Sequence, residues 1–357
     1  MNGTFRGISI TLAAIALIGA CSTGGGATSP AATSSPAAAS EPAASASEAP
    51  AASASEAPAA SAAAESAAAP GEGFRLGVLF PGDAPYLAGY QKGLESAAAD
   101  RGAELIVVNA GWKADVQATQ MDELLAQKPD GIVLWAVDAK AICPALAKAK
   151  AANIPIVATN SEVDPSCADL VNAYTGPNDV AQGEQAADLI NEALGGKGNV
   201  LVIMGVAGTA PQIRRLEGFE KGLAEVAPDI KILDKQPADW DKTKAINVTR
   251  DLLTRHGDKV NGIFGQDDTL AVGAAQAASD AGKEDVKVVG LGGSGDGLKA
   301  VEDGVLYGTM IQSPVLDGEY GVNALVNILE GKDQPATQYL EILPVTKENV
   351  GDYEPEW

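Results

Sequence analysis

Across residues 74–357 the chain alternates short apolar runs with helical stretches, and this alternation restricts it to a layered α/β architecture. Runs at 76–80, 104–109, 130–135 and 154–158 predict strands, with helices between them at 85–101, 115–127 and 141–152. The strands are apolar at nearly every position, as when helices cover both faces of a parallel sheet. After an irregular stretch the pattern restarts. Strands are predicted at 199–204, 230–236, 262–265, 286–290 and 307–311, and helices at 179–194, 212–226, 242–255, 270–281 and 295–302. A last helix, 316–329, precedes an extended tail. Two such blocks predict two doubly wound parallel-sheet lobes, and ligands bind such sheets beyond the carboxyl ends of the strands.

The first 73 residues stand outside this pattern. A short start carrying Arg6 precedes an apolar run over 8–18, followed by Gly19, Ala20 and Cys21. That order is the charged, apolar and small-residue succession of an export signal. The run is too short to cross roughly 30 Å of hydrocarbon, which takes about 20 residues. Its ending, Ile18-Gly19-Ala20-Cys21, resembles the lipobox of bacterial lipoproteins. The resemblance implies a signal peptide over 1–20 and lipidation of Cys21. Residues 21–73 are almost entirely Ala, Ser, Pro, Gly, Glu and Thr, and the octamer 44–51 repeats identically as 52–59. Such a segment cannot bury enough apolar surface to offset its ordering entropy, and its prolines break the helix that alanine favours. It reads as a disordered, lipid-anchored linker with an end-to-end distance of roughly 40 Å.

Composition narrows the function. A net charge of −22 argues against nucleic acid and against electrostatic binding to anionic lipid, leaving the N-terminal lipid as the membrane contact. The single histidine, His256, nearly excludes histidine-based metal sites and leaves little room for a Ser-His-Asp triad. Just before Gly257, it reads as the cationic end of a helix. No catalytic residue, metal or cofactor is expected. Residues 290–295, Gly-Leu-Gly-Gly-Ser-Gly, match a dinucleotide fingerprint formally, but the next strand ends Met310-Ile-Gln312 with no acidic residue. Those glycines read instead as space opened in a cleft. Outside the cytosol Cys143 and Cys167 are expected to pair with each other.

The predicted strand ends carry Asp83 and Tyr86, Trp135 and Asp138, Asn160 and Ser161, Thr209 and Gln212, Trp240 and Asp241, Asp267 and Asp268, and Gln312. Aromatic plates beside amides and carboxylates suit a small polyhydroxylated molecule, whose C–H faces pack on rings while its hydroxyls bond polar groups. Asp241 and Asp268 read equally well as helix caps.

Several stretches carry a family resemblance: Gly131-Ile-Val-Leu, the run 147–157, Glu217-Gly-Phe-Glu-Lys-Gly-Leu, Gln236-Pro-Ala-Asp-Trp-Asp, the run 263–273 and Val345-Thr-Lys-Glu-Asn-Val. On these the head resembles the ribose/galactose-type periplasmic binding proteins of ABC importers, with the type I fold. The resemblance implies two parallel-sheet lobes joined by a three-strand hinge, an N-terminal lobe of 74–177 plus 313–342 and a C-terminal lobe of 178–312 plus 343–357. Strand-end position and the resemblance together give ligand binding by Asp83, Tyr86, Trp135, Asn160, Ser161, Arg214, Trp240, Asp267 and Gln312. The family's second first-loop aromatic is Leu87 here. Its first-loop asparagine is Ala84, and its aspartate-arginine pair is Asn160-Ser161. Its helix-opening arginine falls on Ile213, one step from Arg214, and its aspartate after Val288-Val-Gly-Leu is Gly292. Bidentate groups of that kind set geometric selectivity, so a roomier, less hydroxyl-demanding cleft than a pentose site is expected, unless Phe80 and Trp135 refill it.

The expected function is the substrate-binding component of an ABC importer, for a sugar, polyol or related small polar molecule. Its expected partners are that ligand and an ABC permease, with no nucleic acid, in a monomer held on the outer face of a bacterial membrane. A sensory ectodomain, or a secreted enzyme using the Asp267-Asp268 pair, are the alternatives.

Overall fold

Parallel strands alternating with covering helices build two sheets of equal size. The computed structural model describes residues 73–357; the signal sequence, Cys21 and all of the linker up to residue 72 lie outside the described residues. The first block gives β1 (Arg75–Phe80), β2 (Glu104–Asn109), β3 (Gly131–Leu134), β4 (Ile156–Thr159) and β5 (Ala173–Gly176). The second gives β6 (Lys197–Met204), β7 (Asp229–Pro237), β8 (Gly262–Gly265), β9 (Lys287–Val289) and β10 (Gly308–Ile311), and the chain then adds β11 (Thr337–Tyr339) and β12 (Leu343–Thr346). The first sheet runs β11-β5-β4-β3-β1-β2, and the second β12-β10-β9-β8-β6-β7. Every pairing is parallel except the antiparallel β10–β12 edge.

The first sheet carries α1 (Pro85–Arg101), α2 (Ala114–Ala126), α3 (Cys143–Ala151) and α9 (Pro314–Leu329); the second carries α4 (Asp179–Leu194), α5 (Ala210–Val226), α6 (Lys242–His256), α7 (Asp268–Asp280) and α8 (Gly295–Glu302). Each sheet is buried on both faces. In the first, Val78, Tyr90, Val133 and Leu325 pack on one side, and Leu79, Met121, Leu134 and Leu146 on the other. In the second, Val202, Phe219 and Phe264 face one cluster while Leu201, Ile263 and Leu270 face the other. Burying one such side chain contributes about 1.5–3 kcal/mol before chain entropy is counted.

In each lobe one helix pair meets at its glycines. A Cβ at Gly93 of α1 would strike the carbonyl of Val315, and one at Gly318 of α9 that of Tyr90. The same holds for Gly183 of α4 against Arg215 and Gly218 of α5 against Val180. The missing side chains let the backbones touch, which fixes where each helix start points.

Three short segments carry the chain between the sheets: from β5 to α4, from β10 to α9, and from β11 to β12. Two elements differ from the sequence-based expectation. The supposedly irregular stretch contains β5, whose four residues Ala-Tyr-Thr-Gly lack the continuous apolar run of the other strands. The extended tail supplies β11 and β12, edge strands of three and four residues whose identity comes from distant partners. Cys143, at the start of α3, is bonded to Cys167 in the turn Pro165–Leu170, with Cα atoms 5.7 Å apart, as expected.

Candidate functional site

The carboxyl ends of both sheets border one cleft, with about 560 Å³ of free space including its open mouth. Its walls come from the loops after β1 to β4 on one side and after β6 to β9 on the other, with the β10 crossing behind. Five aromatic side chains line it: Tyr86, Trp112, Trp135, Trp240 and Trp357. Tyr86 sits between two indoles, edge-on to Trp135 at 5.9 Å and to Trp357 at 5.5 Å between centroids. The polar lining is Asn160, Thr209, Arg215, Asp267 and Gln312.

A hydrogen-bond chain runs behind this lining from one lobe to the other. Arg215 Nε donates to Asp179 Oδ1 and to Gln182 Oε1, both at 2.9 Å. Its Nη1 donates to the carbonyl of Gln266 at 2.7 Å and its Nη2 to Gln312 Oε1 at 3.2 Å. Gln312 Nε2 donates to Tyr86 Oη at 2.7 Å, and that hydroxyl donates to Asp317 Oδ2 at 3.1 Å. Asn160 Nδ2 reaches the same carboxylate oxygen at 2.6 Å. The buried guanidinium bonds one carboxyl, Asp179, directly, and burial dominates the titration of the carboxyls around it. It raises Asp179 to about 6 despite Arg215 beside it, and Asp317 to about 7 despite its two donors. Asp267 is raised to about 7 by burial, against the backbone N–H of Leu270 that it accepts. A carboxyl near 7 can accept or donate a hydrogen bond at neutral pH. Asp179 Oδ2 and Asp317 Oδ1 are buried without a partner.

Of the expected residues, Tyr86, Trp135, Asn160, Trp240, Asp267 and Gln312 line the cleft. Three stand elsewhere. Asp83 lies at the exposed rim, where its carboxylate accepts from Asn109 Nδ2 and its carbonyl from Trp112 Nε1, so it positions an indole. Ser161 is fully buried, its Oγ accepting from the backbone of Ala210. Arg214 turns to Glu162, 2.8 Å away, and the cleft arginine is its neighbour Arg215. The two diverge by 100° around α5. Arg215 shares the buried stripe of Pro211, Gly218, Phe219 and Gly222, whereas Ile213 is 48% exposed. That spacing was the available signal for Arg215. The cap readings hold for Asp241, which accepts from Lys244, while Asp267 both caps α7 and lines the cleft. Asp268 is buried beneath the glycine run, accepting from Ser294 N and Thr309 Oγ1.

The cleft is not simply roomier. Trp357 fills the space beside Gly292, and Trp112 adds a further ring. Phe80 packs on Tyr90 in the core rather than refilling the site. No local sequence signal places Trp357, which reaches the cleft only through the path of the tail.

A family model described as a periplasmic binding protein domain matches residues 77–333. The xylitol-binding protein of Mycolicibacterium smegmatis is 32% identical over 284 residues, covering 79% of this chain and 80% of that protein. The ribose import binding protein RbsB of Escherichia coli is 31% identical over 264 residues, covering 74% and 87%. Among solved structures, a periplasmic solute binding protein of an ABC transporter from Actinobacillus succinogenes, with bound D-allose, superposes with a TM-score of 0.72 at 29% identity, covering 78% of this chain and 99% of that one.

Proposed function

Because this chain belongs to the periplasmic binding protein family, we propose that it is the substrate-binding component of an ABC importer, holding a sugar or polyol between its lobes. It is a binding protein, not an enzyme, as its relatives are. The carrying observation is a cleft with aromatic plates from both lobes and a buried Arg215 and half-buried Asp267 at its edge. The plates, Tyr86, Trp135 and Trp240 among them, cover the apolar face of the ligand. Arg215, Asp267 and Asn160 meet its hydroxyls. Gln312 is already bonded to Gln182, Arg215 and Tyr86, so it braces the site instead. The relatives named for xylitol, ribose and D-allose point to this ligand class.

The lobes are assigned as 74–177 plus 313–342 and 178–312 plus 343–357, consistent with the three crossings between the sheets. They close on ligand as rigid bodies about those crossings. The sequence over 1–73 supports export, lipidation at Cys21 and a tether from which a monomeric head delivers ligand to a permease. Titration calorimetry of the purified head against xylitol, D-ribose, D-allose and myo-inositol tests the ligand class. Saturable binding of at least one, with compaction in small-angle scattering, is expected; heat from none of them would overturn the reading. Cys21→Ala is expected to release the protein from membranes.

A further inference from the structure

We propose that Trp357 is a specificity-determining wall of the ligand cleft, and that the absent side chain at Gly292 is what admits it. The inference rests on the cleft being a sugar or polyol site. Gly292 has φ 128°, a conformation that L side chains rarely adopt, and a Cβ built there would lie 2.5 Å from Trp357 Cζ2. The indole and a residue larger than glycine therefore exclude each other. The ring is also held in place: its Nε1 donates to the Gly292 carbonyl at 3.2 Å, and the Trp357 carbonyl accepts from Gly295 N at 2.8 Å.

The segment leading to the ring touches both sides of the cleft. Glu356 accepts from Ser313 Oγ at the start of α9, while Trp357 packs edge-on to Tyr86 of α1 and beside the Gly292 loop that follows β9. A tail indole that only covered apolar surface would need no such opening in a glycine loop, nor a place in the cleft wall beside Tyr86 and Gln312. As part of that wall, the ring sets the width available to ligand. It rewards a slim open-chain polyol that fits against it and penalises a bulkier cyclic one.

The experiment measures xylitol and myo-inositol affinities by calorimetry for wild type, Trp357→Ala, Trp357→Phe and Gly292→Ala, with circular dichroism and melting as folding controls. Truncating a desolvated aromatic contact commonly weakens binding at least tenfold. Trp357→Ala is expected to weaken xylitol by about that factor and myo-inositol by clearly less, so that preference shifts toward the bulkier ligand. Gly292→Ala is expected to produce the same shift by displacing the indole, and Trp357→Phe to retain most of the wild-type preference. General destabilisation would lower both affinities together and leave their ratio unchanged.

An unchanged ratio in folded Trp357→Ala, or in Trp357→Phe and Gly292→Ala should the alanine variant not fold, overturns the inference while leaving the ligand class intact. So does a shift in Trp357→Ala that Gly292→Ala fails to reproduce. If wild type binds D-ribose and not xylitol, the polyol preference fails. The wall assignment then stands on a tenfold loss of D-ribose affinity in Trp357→Ala, and falls without it.

Discussion

The helices of the two lobes begin differently. Each of α4 to α8 starts behind a side chain, Asn178, Thr209, Asp241, Asp267 or Ser294, whose oxygen accepts a backbone N–H of the first turn. Before α1, α2 and α3 stand Ala84, Lys113 and Ile142, none of which caps; the one capped helix of the first lobe is α9, which starts at a crossing and whose Ser313 accepts from Leu316 N. The cleft walls differ in the same sense. The first lobe offers three of the five rings, and its polar groups, Tyr86 and Asn160, are turned onto Asp317. The second presents charge, with Arg215 and Asp267 backed by Asp179. Buried charge is tolerated only where every neighbour is committed to it. The second lobe is therefore the more specified half, in which Arg215 has named polar partners at Nε, Nη1 and Nη2. The first is held by packing, by α9 and by the 143–167 disulfide.

The largest test of that contrast compares adjacent arginines. Arg215→Ala strands buried Asp179 and is expected to cost about 3–5 kcal/mol in urea unfolding. Arg214→Ala, which breaks the half-buried pair with Glu162, should cost about 1 kcal/mol or less. Equal losses would dissolve the distinction. In the first lobe, Cys143→Ala with Cys167→Ala should cost about 3 kcal/mol on the chain-entropy account, and the native protein should show no free thiol at either position. Trp240→Ala, at the cleft, should weaken ligand binding by about 2 kcal/mol or more while the fold survives.

Asp317 probes the seam between the lobes. Its folded pKa is raised from 3.8 to about 7, chiefly by burial. A raised acid stabilises fully below its unfolded value and loses that contribution as pH rises through 7. The melting midpoint should thus climb between pH 8 and pH 5. Asp317→Asn should flatten the climb by an amount on the order of 2 kcal/mol. A slope unaltered by the substitution would place the titration elsewhere. Asp241→Ala should cost about 1 kcal/mol as a lost cap, a loss as small as that of Arg214→Ala.

The layered fold was legible because buried parallel strands must be apolar on both faces, and 131–134 or 262–265 are so throughout. Strands β5, β11 and β12 were not, since Ala-Tyr-Thr-Gly, Thr-Gln-Tyr and Leu-Pro-Val-Thr are not apolar runs and their pairing is settled by chain far away in sequence. At the site, residues that end strands were readable from position: Tyr86, Trp135, Asn160, Trp240, Asp267 and Gln312. Arg215 was displaced by one residue, because motif counting ignores which face of α5 is buried. Trp112 and Trp357 were missed. The first stands three residues beyond the end of β2, a strand end at which no side chain was read, and its indole bonds the Asp83 carbonyl; the second arrives from a tail whose course only tertiary contacts determine.

The three crossings also dictate an order of completion. The first sheet holds five of its strands by Gly176, yet α9, which brings Val322, Leu325 and Val326 to its core, and its sixth strand β11 come more than 130 residues later by the numbering, after the whole parallel part of the second sheet. The second sheet in turn waits for β12 at Leu343–Thr346. As the chain emerges from a ribosome or translocation pore, neither lobe can be finished before the other is nearly made. Their maturation is concurrent, and no contiguous fragment cut at a crossing reproduces a native lobe.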